Sequence, residues 1–317
     1  MISNNTHSTL VLEDGAQLAY EVLGSHHIES QEPIVLIGGM SSLRGDWERL
    51  AASLAVKRPV LLFDHRGMGD STLSPGKEEV ITMESLARDL LFLLCTLGWR
   101  RLSLCGFSMG GVVTQQLLFL PYLSSNPTQL PFHVTHVLLT GTLCSVLRDP
   151  RFGLRVDTSV PDRPRTYEEK KEIARPTLEA TFDPRWMADT TNTQRFDWWL
   201  NRMISGRPTH VILMQGRALN RFTFDGFHDK LPKDMQFLII HGKEDKIVPS
   251  YCGEEILQRI PWAKTVKVGQ SPGEIPSLDF GHIWFEYFDI QVWYDVVNEF
   301  LKEGEARTPP GGYIARL

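Results

Sequence analysis

Ser108 stands in Gly106-Phe107-Ser108-Met109-Gly110-Gly111, a hydroxyl with a glycine two positions before it and two after. The apolar run Leu102-Ser103-Leu104-Cys105 precedes it and a helix-like run follows. A strand that turns sharply into a helix holds such a serine at a strained, exposed apex, with the helix's first amides and dipole aimed at the reacting centre. The glycines let the backbones approach closely. The bland alternative is a tight glycine-rich turn without chemistry. A neutral serine is a weak nucleophile and needs a base, and the base needs an orienting acid. Asp245 lies in His241-Gly242-Lys243-Glu244-Asp245-Lys246-Ile247-Val248-Pro249, just past an apolar run that ends at Ile240. His282 follows in Phe280-Gly281-His282, ahead of the last helix-like stretch. Glu244, Glu274 and Asp279 are rival acids close by in the chain. His26 and His27 read as solvated, and His241 as bonding the turn after its strand.

Positioning such residues requires a rigid frame, and the hydrophobic pattern supplies one. Residues 9–23 alternate around Asp14-Gly15, a favoured hairpin dipeptide. Ile34-Val35-Leu36-Ile37, Val60-Leu61-Leu62-Phe63, residues 102–105, residues 134–140 and Phe237-Leu238-Ile239-Ile240 are short unbroken apolar runs. Such runs indicate strands buried on both faces, hence a parallel sheet. Helix-like stretches at 83–99, 112–120 and 292–302 alternate with them, so the chain is expected to be α/β with right-handed crossovers. The alternation fails over 147–226, which carries several prolines and helix-like pieces such as 195–204. This segment is expected to be a helical lobe inserted between two halves of one core, 1–146 and 227–305, with a flexible tail at 306–317.

Composition narrows the function. The 317 residues are 42% hydrophobic and 22% charged with a net charge of -5, ordinary for a globular protein and without the basic stripe of a nucleic-acid binder. Four cysteines show no metal-ligand spacing, and neither a metal nor a cofactor is expected. Cys95, Cys105 and Cys144 sit in apolar runs and read as buried, reduced thiols. The polar start of the chain and the lack of a membrane-length apolar run suggest a soluble intracellular protein.

Taken together these motifs resemble the α/β-hydrolase superfamily, in its lipase/esterase-like branch. The resemblance rests on 106–111, on Asp64-His65-Arg66-Gly67-Met68-Gly69-Asp70-Ser71, on 241–249 and on Gly281-His282, and so covers most of the chain. It implies an eight-stranded, mostly parallel sheet flanked by helices, with a helical cap over the strand ends. It implies Ser108 as nucleophile, Asp245 as acid and His282 as base, with backbone amides of Met40 and Met109 forming the oxyanion hole. One departure is visible: Gly38, in Leu36-Ile37-Gly38-Gly39-Met40, stands where many members carry histidine. Serine in place of aspartate at the turn argues against epoxide hydrolases and haloalkane dehalogenases. The expected activity is hydrolysis of carboxylic esters through an acyl-enzyme. An apolar substrate such as a monoacylglycerol-like lipid is suggested by Trp186, Met187, Phe196, Trp198, Trp199, Met203, Met214, Phe222 and Phe224, with Trp284, Phe285 and Phe288 after the base. The same residues could instead be the lobe's own core. Arg202, Arg207 and Arg217 could meet an acidic head group or simply be solvated. A thioesterase, a C–C bond hydrolase and a non-catalytic ligand-binding protein are the alternatives on the same fold.

The chain ends in Ala315-Arg316-Leu317, which resembles the small-basic-Leu tripeptide read by the peroxisomal import receptor. Thr308-Pro309-Pro310-Gly311-Gly312 upstream would present it on a short stalk. The expected location is therefore the cytoplasm or the peroxisomal matrix, with that receptor as a partner in the second case.

Overall fold

The structure is a computed structural model, described over residues 7–76, 80–155, 157 and 163–303. The tail at 306–317, with Ala315, Arg316 and Leu317, lies outside the described residues.

Eight strands form one sheet: β1 Ser8–Val11, β2 Gln17–Leu23, β3 Ile34–Ile37, β4 Val60–Phe63, β5 Arg101–Phe107, β6 His133–Thr140, β7 Gln236–Ile240 and β8 Lys264–Thr265. Their order is β1-β2-β4-β3-β5-β6-β7-β8. The β1–β2 and β2–β4 pairs are antiparallel and the remaining pairs are parallel. The hairpin at Asp14-Gly15 closes as the dipeptide suggests, with Gly15 at φ 86. The unbroken apolar runs become strands covered on both faces, and alternate residues feed opposite cores. Val35 and Ile37 join the core shared with α2 Met83–Leu97, α3 Met109–Phe119 and α8 Tyr251–Arg259, while Ile34 and Leu36 join the one shared with α1 Glu48–Ala55 and α9 Ile290–Lys302.

From β3 the chain steps to β4 on one side, then crosses back to β5 on the other. Strand order therefore reverses between β3 and β5. In open α/β sheets the crevice beyond the carboxyl ends at such a reversal is where ligands bind. The loop after β3 and the turn after β5 meet there.

Between β6 and β7 the chain makes no strand among the described residues. It forms α4 Tyr167–Glu179, α5 Pro184–Ala188, α6 Thr193–Met203 and α7 Thr209–Leu219. Proline opens two of these helices as their chemistry allows: Pro184 is the first residue of α5 and Pro208 precedes α7. Several ion pairs tie this helical segment to the core. Arg195 of α6 grips Glu286 with bonds of 2.7 and 2.6 Å, and Arg207 grips Asp46 with bonds of 2.8 and 2.9 Å. No helix among the described residues is long and apolar enough to cross a membrane.

One expectation fails. Cys95 is exposed, whereas Cys105, Cys144 and Cys252 are buried. The run around Cys95 is apolar, but it lies on α2, where consecutive residues point about 100° apart, and position 95 falls on the outer side of the Leu86, Leu90 and Leu94 stripe.

Candidate active site

Ser108 joins β5 to α3 in a conformation that L-residues rarely adopt, φ 54 and ψ -122. Three bonds hold it there. Its amide donates to the Thr140 carbonyl at 3.0 Å, and its own carbonyl accepts from Thr142 Oγ1 at 2.6 Å and from the Gly111 amide at 3.0 Å. The neighbouring glycines serve close approach rather than unusual dihedrals. A Cβ on Gly110 would strike the Ile37 carbonyl, and one on Gly106 would strike Thr114 Oγ1 and the backbone of Gly110 and Gly111. The helix can thus press against β3 and β5 only because these side chains are missing.

His282, on the loop past β8, places Nε2 3.0 Å from Ser108 Oγ and Nδ1 2.7 Å from Asp245 Oδ2. Asp245, on the loop past β7, accepts the amides of Ile247 and Val248 on its other oxygen, each at 2.8 Å. All three side chains are buried. Burial alone would push the Asp245 carboxyl up. The charge and hydrogen bond of His282, with a contribution from His241, outweigh it and hold the acid well below the usual carboxylate range. A carboxylate fixed in its charged form can keep the proton of His282 on Nδ1, leaving Nε2 free to accept from a hydroxyl. The structure brings none of the rival acids to this point. Asp279 is half exposed beside Arg185 at 3.8 Å, and Glu274 accepts from the Ser271 amide. His241 bonds the turn, as its position suggests: Nε2 reaches the Val248 carbonyl at 2.9 Å and lies 3.6 Å from Asp245 Oδ2.

The loop after β3 reaches the same place. A Cβ on Gly39 would stand 2.9 Å from Ser108 Cβ, so only glycine fits. Met109 is the first residue of α3, where the amide has no intrahelical acceptor. The Met40 amide likewise has no acceptor among the described residues. Both residues line the cavity in front of Ser108. The departure at Gly38 has a steric reason, since a Cβ there would meet Ser42 Cβ at 2.8 Å. The bracing comes from another histidine: His65 Nε2 bonds the Gly38 carbonyl at 2.9 Å. The rest of that motif is scaffold. Arg66 grips Asp89 through bonds of 2.6 and 2.5 Å, and the Ser71 hydroxyl donates to the Asp64 carbonyl at 2.7 Å.

His65 carries a testable electrostatic consequence. Burial pulls its imidazole down to about 4 from 6.5, against the raising effect of the Gly38 bond. His228 is likewise pulled down to about 4, by burial and then by Arg259. A histidine kept neutral by folding contributes stability that is complete above about pH 6.5 and is lost as pH falls toward 4, because only the unfolded chain then takes up the proton. From pH 8 to pH 5 each should cost on the order of 2 kcal/mol. Urea unfolding at the two pH values should show the drop, and His65→Gln, which can still donate to Gly38, should remove about half of it and leave the share of His228. An unchanged pH slope in that variant would refute the assignment.

A cavity of about 380 Å³ opens onto Ser108 and His282. Its apolar wall includes Trp47, Phe107, Leu178, Trp199, Met203 and Phe285, and Arg148, Asp149 and Asn220 add polar lining. The large apolar residues of the helical segment and of the stretch after His282 therefore divide. Trp199, Met203 and Phe285 face the cavity. Trp186 instead stacks on Phe182 at 3.8 Å, and Phe224 packs on Phe119 at 5.0 Å. Met214, Phe222 and Arg217 line a larger cavity of about 860 Å³ that none of Ser108, Asp245 and His282 touches. Arg202 and Arg207 both bond Asp46, and Arg207 also lines the cavity in front of Ser108. Sequence reading missed the partners of Arg207. They include the carbonyl of Ser41, whose amide donates to Gln215 Oε1 at 2.9 Å.

Comparison with known proteins accords with this architecture. The profile of the Alpha/beta hydrolase family matches residues 34–276. "Putative carbamate hydrolase RutD" of Azorhizobium caulinodans is 25% identical over 255 residues, covering 80% of this chain and 86% of that protein. The protein of the same name from Caulobacter segnis is 24% identical over 249 residues, covering 77% and 85%. Among solved structures, a hydrolase from Pseudomonas aeruginosa superposes with a TM-score of 0.70 at 22% identity, covering 94% of this chain and 99% of that one. The enol-lactonase from Burkholderia xenovorans superposes with a TM-score of 0.68 at 20% identity, covering 93% and 100%. A match that spans most of the chain, from β3 to the segment just before His282, places this protein in the alpha/beta hydrolase family.

Proposed function

We propose that this protein is a serine hydrolase acting on carboxylic esters with an apolar acyl group, through an acyl-enzyme on Ser108. The observation that carries the reading is the bond chain from Ser108 Oγ to His282 to Asp245, at 3.0 and 2.7 Å, opening into a largely apolar cavity. His282 takes the serine proton as Oγ attacks the carbonyl carbon, and Asp245 stabilises the resulting imidazolium. The Met40 and Met109 amides receive the oxygen as it gains charge. The proton then passes to the leaving alcohol, and water repeats the sequence in reverse to release the acid. The segment 147–226 acts as a cap, supplying the apolar wall through Leu178, Trp199 and Met203.

The named relatives support a second reading, since a carbamate carbonyl can be attacked by the same groups. Cavity size favours the ester. A small carbamate would leave most of about 380 Å³ of apolar space empty, whereas a medium acyl chain would fill it. A panel of p-nitrophenyl acyl esters, matched thioesters and small carbamates decides the matter. Expected is labelling of Ser108 by a fluorophosphonate, and kcat/KM that rises with acyl length by up to roughly fourfold per methylene until the cavity is full. Preferred turnover of the small carbamate would overturn the acyl-ester reading.

A further inference from the structure

The turn that carries Met40 is held from outside the core. Ser41, the next residue, has φ 67, a left-handed conformation that a non-glycine residue keeps only when its surroundings impose it. Its surroundings come from the helical segment. The Ser41 amide donates to Gln215 Oε1 at 2.9 Å, and the Ser41 carbonyl accepts from Arg207 Nη1. Gln215, on α7, is fully buried. Arg207 is itself immobilised, with Nη2 on both oxygens of Asp46 and Nε on the Arg202 carbonyl at 3.1 Å. On its other side the turn hangs from His65 through the Gly38 carbonyl. Met40 lies between these two anchors, in a turn that the Ser42 amide closes on the Gly39 carbonyl at 3.2 Å and that Ser41, at φ 67, keeps only with outside support.

We propose that Gln215 and Arg207 are positioning residues for the oxyanion hole: by holding both backbone polar groups of Ser41 from the cap, they fix where the Met40 amide points. This rests on the reading of Met40 as an oxyanion donor. The cap then does more than wall the substrate cavity, because it completes the electrostatic half of the site. Neither Gln215 nor Ser41 exchanges a proton with the substrate. The effect of losing the anchor falls on the transition state, where the Met40 bond matters most.

Gln215→Met removes the acceptor while keeping a similar volume, and the Gln215 Nε2 group has no partner among the described residues, so no other bond there is lost with it. Gln215→Glu keeps an acceptor oxygen for Ser41. With the intact chain and a p-nitrophenyl acyl ester, Gln215→Met should lower kcat roughly 10- to 100-fold with KM within about threefold. The pH dependence of kcat should keep its shape, because the Ser108–His282–Asp245 chain is undisturbed. A trifluoromethyl ketone, which places an oxyanion in the hole, should lose affinity in parallel. Gln215→Glu should recover most of kcat. If Gln215→Met fails to fold, Arg207→Lys makes the same test, since it keeps a charge for Asp46 and loses the second arm that reaches Ser41. A loss carried by KM, an unchanged kcat, or equal losses in the Met and Glu variants would overturn the proposal. Ser108→Ala in the same assay separates the two levels: activity surviving that change sinks the hydrolase reading itself, whereas its loss beside an unaffected Gln215→Met sinks only this inference.

Discussion

Ser108→Ala is expected to lower ester hydrolysis by on the order of 10⁴-fold or more in kcat while leaving the fold intact. Both halves of that expectation come from the turn. The hydroxyl is the group 3.0 Å from His282 Nε2, and without it no acyl-enzyme can form. Alanine has the same Cβ as serine, so it carries the same backbone strain at φ 54, and the bonds that hold the turn, to Thr140, Thr142 and Gly111, all use backbone atoms of residue 108. The thermal midpoint should therefore stay close to that of the parent. Initial rates on a p-nitrophenyl ester, measured beside thermal unfolding of the same preparation, check both. Parental rates in the folded variant would remove Ser108 from the chemistry.

Asp245→Asn should be nearly as damaging, on the order of 10⁴-fold, and for a different reason. The amide oxygen can go on accepting from Ile247 and Val248, so the loop should persist. The other side of the group then presents an NH₂ to His282 Nδ1. That donor favours the imidazole with its proton on Nε2, the atom that must receive the serine proton. Asp279→Asn and Glu274→Gln provide the contrast, since neither side chain bonds His282, and both should stay within a few-fold of the parent. A large loss at either, with a mild loss at Asp245, would transfer the orienting role.

How much of this was legible in the sequence depended on the kind of signal. Strands β3 to β7 were readable because each is buried on both faces and so spells a mainly apolar run. Ser108 and Asp245 were readable because each stands just past a strand end in a recognisable string, and His282 because a Gly-His pair stands ahead of the last helix. Cys95 was misread because apolar neighbours along the chain do not say which side of a helix a residue faces. The aromatic residues between β6 and β7 could not be sorted in advance, since Trp199 at the cavity and Trp186 in the interior look alike in sequence. Arg207 was the largest omission. Its role comes from Asp46 and Ser41, which are 161 and 166 residues away, and no periodicity announces a partner at such a distance.

Those separations bear on how the molecule comes to life. His282 meets Ser108 across 174 positions of chain, and Gln215 meets Ser41 across another 174. Contacts so remote in sequence form slowly, because each closes a long loop whose entropy must be surrendered before the contact returns anything. Helices such as α2 and α3 can appear early from local contacts, but the assembled site cannot. Catalytic competence is thus a property of the finished topology rather than of any stretch of it, and during refolding the return of activity will trail the return of helical signal.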